Sequence, residues 1–237
     1  MEKPCSVEQG FLFHAKLLIF VKETSTLNQL HLASFKRGAI LTLISGLMLV
    51  IMSIVIGKND FFLYLNIDGG AFADFFFTYC TYLGDGIIWV PLILFFIFYK
   101  QKLLPLVISA MLISTLFVQI SKNYIYPDEA RPAKAIIEQS SIHIVKGVEV
   151  HTTNSFPSGH TTTVFCIFLL GCLFTPSIIF LVTGFILALL TAYSRIYLAQ
   201  HFPLDAGAGM ITAVISTCIS LWIQQLFNNK QMPIHQS

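Results

Sequence analysis

Six apolar stretches recur along this chain, at about residues 39–56, 87–99, 103–120, 159–174, 177–193 and 206–223. Each comes close to the roughly 17 to 25 residues of a spanning helix, and the second and fourth are short enough to require tilt or extended ends. Composition points to the same solvent. Of 237 residues, 55% are apolar and 11% charged, whereas soluble domains carry roughly 25% charge. The expected fold is therefore all-α, an integral membrane bundle of six transmembrane helices. A formal net charge of +2 is too small to make nucleic acid a partner. The five cysteines show no metal-ligand spacing, their odd number argues against a disulfide framework, and most lie inside apolar runs as small packing residues.

The expected boundaries are 1–38 for an N-terminal segment, 39–226 for the membrane domain and 227–237 for a tail. Within the first segment, "FLFHAKLLIFV" (11–21) is interrupted by His14 and Lys16 and has no small-residue exit, so it reads as an interfacial helix rather than a signal sequence. The aromatic stretch "AFADFFFTYCTYLGDG" (71–86) reads as a second helix at the membrane interface. Lys3, Lys16, Lys22, Lys36 and Arg37 precede the first span, and Lys100 and Lys102 follow the second. Those ends face the cytoplasm by the positive-inside rule, and Asp60, Asp68, Asp74 and Asp85 mark the opposite side.

One connection is long, residues 122–157, and it falls on the noncytoplasmic side. It opens with "SKNYIYPDEARPAK" and closes with "FPSGH"; the other polar punctuation on that side is "YSRIYLAQHFPLD" (193–205). Three separated segments thus bring Lys122, Arg131, His160, Arg195, His201 and Asp205 to one membrane face. Three cations without equal acidic partners repel one another unless an anion sits among them, and Arg and Lys are the residues that hold phosphate. Pro157 presets a turn, Ser158 can cap the fourth span and Gly159 lets backbone N–H groups approach a ligand; a helix N-terminus of this kind is an anion site. His201 and Asp205 are four residues apart, with Pro203 suited to the first turn of the last span, so the carboxylate can orient one imidazole nitrogen and leave the other as nucleophile or base. His160 is placed to give a proton to a leaving oxygen. Together these parts describe phosphoryl transfer through a phosphohistidine, with charge stabilisation from the cations and neither metal nor cofactor required.

At these residues the chain resembles the type 2 phosphatidic acid phosphatase superfamily, whose pattern is K-x6-RP, then PSGH, then SR-x5-H-x3-D. The second motif is complete as Pro157, Ser158, Gly159 and His160, and the third as Ser194, Arg195, His201 and Asp205 at the required spacings. The first departs, with eight residues rather than six between Lys122 and Arg131–Pro132. The resemblance implies that His201 attacks phosphorus, that Asp205 orients it, and that His160 protonates the leaving alcohol and then activates water. It also implies that Lys122, Arg131, Arg195, Ser158 and the Gly159 backbone hold the phosphoryl oxygens.

Blander roles remain for Arg131 and for residues outside the motifs. Arg131 can pair with Asp128 or Glu129, Asp85 reads as a helix cap, Lys134 as a solvated loop lysine, and His143 and His151 as surface residues. The expected function is a lipid phosphatase of a bacterial inner membrane, its site on the noncytoplasmic face and its substrate an amphiphile whose tail stays in the bilayer. Polyprenyl diphosphate, phosphatidylglycerophosphate, phosphatidate and a lipid A phosphate all fit. The alternatives are a lipid phosphotransferase on the same site, a transporter, or a non-catalytic membrane protein. Charges at span ends rather than mid-membrane disfavour transport. Oligomeric state does not follow from the sequence.

Overall fold

The computed structural model describes the backbone of residues 7–230 and the side chains of residues 32–228 apart from Gln139. In chain order the helices are α1 (Val7–Ile56), α2 (Lys58–Leu65), α3 (Gly70–Cys80), α4 (Trp89–Tyr99), α5 (Leu104–Ile120), α6 (Pro132–Ala135), α7 (Gly159–Phe174), α8 (Ile178–Tyr197) and α9 (Pro203–Lys230), with no strand among the described residues. With no water in hydrocarbon to satisfy open backbone, helices that close their own hydrogen bonds are what this composition permits.

Four segments are long and apolar enough to cross a membrane: Leu32–Ile56, Gln101–Ile125, Ile178–Tyr197 and Pro203–Asn228. A fifth arises if Gly70–Gly84 and Gly86–Tyr99, bent by 52° at their junction, act as one span. The expected second span thus needs correcting, since α4 alone has 11 residues and reaches span length only with the aromatic helix before it. The break falls where Asp85, in an extended conformation, caps the next turn by accepting the Ile87 N–H. The first span also starts earlier than residue 39. No proline interrupts the preceding sequence, and α1 runs unbroken from Val7, so the segment expected to lie in the interface continues directly into the span. Its first six residues, and its side chains before Leu32, lie outside the described residues.

α7 and α9 form the centre. α7 packs against α1, α5, α8 and α9, and α9 against α1, α5 and α7. Val164, Phe165, Cys166, Phe168, Leu169, Leu170, Cys172 and Leu173 are all buried, so α7 is apolar around its whole circumference. Thr175–Pro176 ends it, as expected where proline disfavours helix in the preceding residue. α1 and α9 cross at Gly46 and Gly207, where a Cβ on either would stand 2.9 or 2.7 Å from the other's carbonyl oxygen. Such small residues let backbones touch where hydrocarbon provides no hydrophobic drive for association. The opposite face of α1 carries exposed Ile44, Met48, Ile51 and Val55, a stripe suited to lipid. Three of the apolar-run cysteines, Cys80, Cys166 and Cys172, are buried and free, while Cys218 is exposed.

The bundle therefore gathers the C-terminal ends of α5 and α8 and the N-terminal ends of α7 and α9 at one end, together with the loop from α5 to α7.

Candidate active site

Each site residue stands at a helix end or in the loop. Lys122 lies in a π turn, Ser121–Ile125, that continues α5 and closes with the Tyr126 N–H on the Ser121 carbonyl at 2.8 Å. Wide turns of this kind recur at functional sites. Together with a turn at Asp128, whose φ is +60°, it takes up the longer spacing between Lys122 and Arg131. Ser158 caps α7, its hydroxyl accepting the Thr161 N–H at 3.4 Å and the Thr161 hydroxyl at 2.9 Å. The Ser158 N–H donates to the Asp205 carbonyl at 3.0 Å, which fixes the start of α7 against the start of α9. After α8 the chain folds back, with the Gln200 and His201 N–H groups both on the Arg195 carbonyl.

His201 and Asp205 are almost fully buried, at 1% and 0% exposure. Asp205 Oδ2 accepts the Ser155 hydroxyl at 2.5 Å and the Phe202 N–H at 3.0 Å, and faces His201 Nδ1 at 3.4 Å. The imidazole is thereby oriented with Nε2 as its remaining nitrogen. Burial pushes the His201 pKa well below the ordinary imidazole value, and Arg131, Arg195, Lys122 and His160 push it the same way. A neutral ring with an available nitrogen is the nucleophilic form.

The cations are held in different ways. Arg131 is tied to the loop: Nε donates to the Thr153 carbonyl at 2.8 Å, Nη1 to the Gln200 carbonyl and side-chain oxygen at 3.0 and 3.2 Å, and Nη2 to the Asn154 carbonyl at 3.4 Å. These four contacts use most of the five N–H donors of a guanidinium, so Arg131 serves the site chiefly as a fixed charge. The bland alternative for Arg131, a loop salt bridge with Asp128 or Glu129, is not formed; Glu129 takes Lys58 instead. Arg195 reaches Thr81 Oγ1 with Nη1 at 2.7 Å, while its Nε is buried without a partner. A buried charged donor left without a partner is costly, and an oxyanion would satisfy it. Lys122 lies in the fields of Arg131, Asp205 and Arg195, and His160 in those of Arg195, Asp85, Lys122 and Arg131. All eight residues read from the motifs, Lys122, Arg131, Ser158, Gly159, His160, Arg195, His201 and Asp205, thus come to one end of the bundle.

Several partners escaped sequence reading. Thr81, in the turn after α3, carries no signal of its own, and Gln200 is visible only as a neighbour of His201. Ser155 stands inside the polar stretch that closes the loop, a hydroxyl among several. His143 also differs from expectation: it is not loose on the surface but bonds Asp74 Oδ1 with Nε2 at 3.0 Å, and the Tyr197 hydroxyl donates to the same oxygen at 2.5 Å. Asp68, Asp74 and His143 bring ligand atoms within 4.8 Å of one another. With Asp74 already shared by two partners, the group reads as a brace between the loop, α3 and α8 rather than a metal centre.

Residues 103–229, more than half of the chain, match the family model of the PAP2 superfamily. The chain belongs to that superfamily. All three motif segments lie in the matched region. Over 83 residues the chain is 36% identical to the bacitracin transport permease protein BcrC of Bacillus licheniformis, covering 34% of this chain and 38% of that one. Over 127 residues it is 30% identical to the putative undecaprenyl-diphosphatase YbjG of Escherichia coli K12, covering 52% and 58%. The chain thus spans less than two thirds of the length of these curated relatives. The crystal structure of Aquifex aeolicus LpxE superposes with a TM-score of 0.59 at 29% identity, covering 68% of this chain and 92% of that one. With its apolar helices, this PAP2 superfamily member is an integral membrane protein.

Proposed function

We propose that the chain is a lipid phosphatase that transfers the phosphoryl group of an amphiphile to His201 and then to water. The observation that carries this reading is the gathering of Lys122, Arg131 and Arg195 around a buried histidine whose Nδ1 faces a carboxylate. In the first step His201 Nε2 bonds to phosphorus as the bond to the leaving oxygen breaks, and His160 gives that oxygen its proton. In the second, water attacks phosphorus, His160 takes the water's proton, and the P–N bond breaks to release phosphate and neutral His201. Throughout, Lys122, Arg131 and Arg195 offset the charge on the phosphoryl oxygens, with donors from the N-terminal turn of α7.

The substrate is a lipid because the catalytic groups stand at helix ends, level with headgroups. Similarity to the putative undecaprenyl-diphosphatase YbjG puts a polyprenyl diphosphate first, ahead of phosphatidylglycerophosphate, phosphatidate and a lipid A phosphate. The transport named for BcrC fits less well, since ionisable groups of a transporter lie on broken helices near mid-membrane. Six spans across a bacterial inner membrane, counting the bent pair and α7, and a site on the noncytoplasmic side are the reading that the Lys and Arg distribution supports.

The test is phosphate release by purified protein in detergent with EDTA, over those four lipids, beside His201→Ala. Release from one lipid, lost in the variant, is the expected result. Release that survives the substitution would remove His201 as nucleophile.

A further inference from the structure

Two of the donors on Asp205 lead back to one lysine outside all three motifs. Lys58, in the first turn of α2, bonds Glu129 Oε1 at 2.5 Å and lies 4.3 Å from the centre of the Phe202 ring. The Glu129 carbonyl accepts the Ser155 N–H at 3.0 Å, and the Ser155 hydroxyl donates to Asp205 Oδ2. Phe202 donates its own N–H to that same oxygen. Asp205 Oδ1, by contrast, is buried without a partner. All of the carboxylate's hydrogen bonds therefore fall on the oxygen that faces His201. Ser155 is fully buried, and its hydroxyl and the His201 ring are the two side-chain groups bonded to that oxygen among the described residues.

We infer that Ser155 is a positioning residue for the His201–Asp205 pair, and that Lys58 and Glu129 hold it in place. The lengthened stretch between Lys122 and Arg131 thus does more than carry two cations: it places the Glu129 carbonyl under the Ser155 amide and the Glu129 carboxylate under Lys58. This rests on the proposed role of His201. The hydroxyl does two things. It fixes the rotamer of a carboxylate whose other oxygen has nothing to hold it, and it draws off part of the negative charge that His201 feels. Groups facing the pair from other elements are Lys122 beyond α5, Arg131 and Glu129 in the loop, His160 on α7, Arg195 on α8 and Lys58 on α2.

Without the hydroxyl, Asp205 presents more of its charge to His201, so the ring holds a proton to higher pH. The experiment is NMR titration of ring-labelled histidine in the full chain in detergent, with the His201 signal assigned by its loss in His201→Gln, alongside phosphate-release kinetics. In Ser155→Ala the His201 titration moves up by about one pH unit, and kcat falls about 10- to 100-fold, as expected for a lost hydrogen bond to a charged group, while KM stays within about threefold. Ser155→Thr keeps the hydroxyl and keeps the parent titration. Lys58→Met and Glu129→Gln each lower kcat, and the double variant is no worse than the poorer single one, because both act through one link. An unmoved titration in Ser155→Ala overturns the inference, and so does an equal shift in the Ala and Thr variants, which marks packing rather than the hydrogen bond. A shifted titration in a protein that hydrolyses none of the lipids would leave the positioning role standing and remove the phosphatase reading instead.

Discussion

Arg195 on α8 and Thr81 in the turn after α3 meet at 2.7 Å, guanidinium to hydroxyl. Thr81 is itself buried, so the Arg195 guanidinium rests on the bent pair of helices. Thr81→Val keeps the shape and removes the acceptor. A hydrogen bond to a charged group is worth roughly 1.5 to 3 kcal/mol, and kcat/KM for phosphate release is expected to fall about 10- to 100-fold. Parent-like kinetics would show that Arg195 holds its place without Thr81.

His201→Ala and Arg195→Ala separate nucleophile from cradle. The first abolishes turnover and leaves lipid affinity, because the ring makes its covalent contribution only along the reaction path. The second weakens both, since its charge acts on bound lipid and transition state alike. Equilibrium binding of the lipid beside turnover checks the split. Loss of affinity in His201→Ala as large as in Arg195→Ala would contradict it.

Acid sensitivity follows from the low pKa of His201. An unperturbed histidine titrates near pH 6.5, and burial with four cationic or ionisable neighbours holds His201 well below that value. Activity, which needs the neutral ring, is expected to persist below pH 6.5 and to fall only where His201 gains its proton. Stability follows the same sign. Between the folded and unfolded pKa values the unfolded chain binds more protons, so His201 makes stability decline as pH drops through that window. A kcat/KM profile with its acid limb at or above 6.5 would contradict the burial argument.

Gly84 and Gly86 offer a paired test of how closely the bent pair seats on the site. A Cβ at Gly84 would stand 2.7 Å from the His160 carbonyl oxygen, whereas one at Gly86 would meet nothing within 4 Å. Overpacking of this kind costs about 1 to 3 kcal/mol, so Gly84→Ala should lower the thermal midpoint in detergent and reduce turnover, and Gly86→Ala should change little. Equal effects of the two would argue against a close seat.

The sequence was most legible where chemistry and spacing coincide. Ser158, His201 and Asp205 are legible because a cap, a four-residue step and a proline in the first helical turn have local physical meanings, and the structure shows each locally as expected. Thr81, Gln200 and Lys58 carry no local signal: their roles arise from contacts across 114, 69 and 71 residues. Span boundaries were harder for another reason. Apolar runs count side chains, but α4 ends up short because the backbone bends at Gly84–Asp85–Gly86, and α1 runs long because polar residues before 39 do not stop a helix that lacks proline.

The hydrogen bond from the Ser158 amide to the Asp205 carbonyl joins two helix starts that leave the ribosome far apart in time. While the chain is being inserted, α7 emerges with its Ser158-capped first turn and His160 before α9 exists to supply Asp205. Arg131 likewise has no Gln200 to hold, 69 residues later, until α8 has entered the bilayer. On the proposed mechanism, no N-terminal fragment therefore carries a complete site, and a chain stalled before its last helix lacks the Asp205 carboxylate that faces His201.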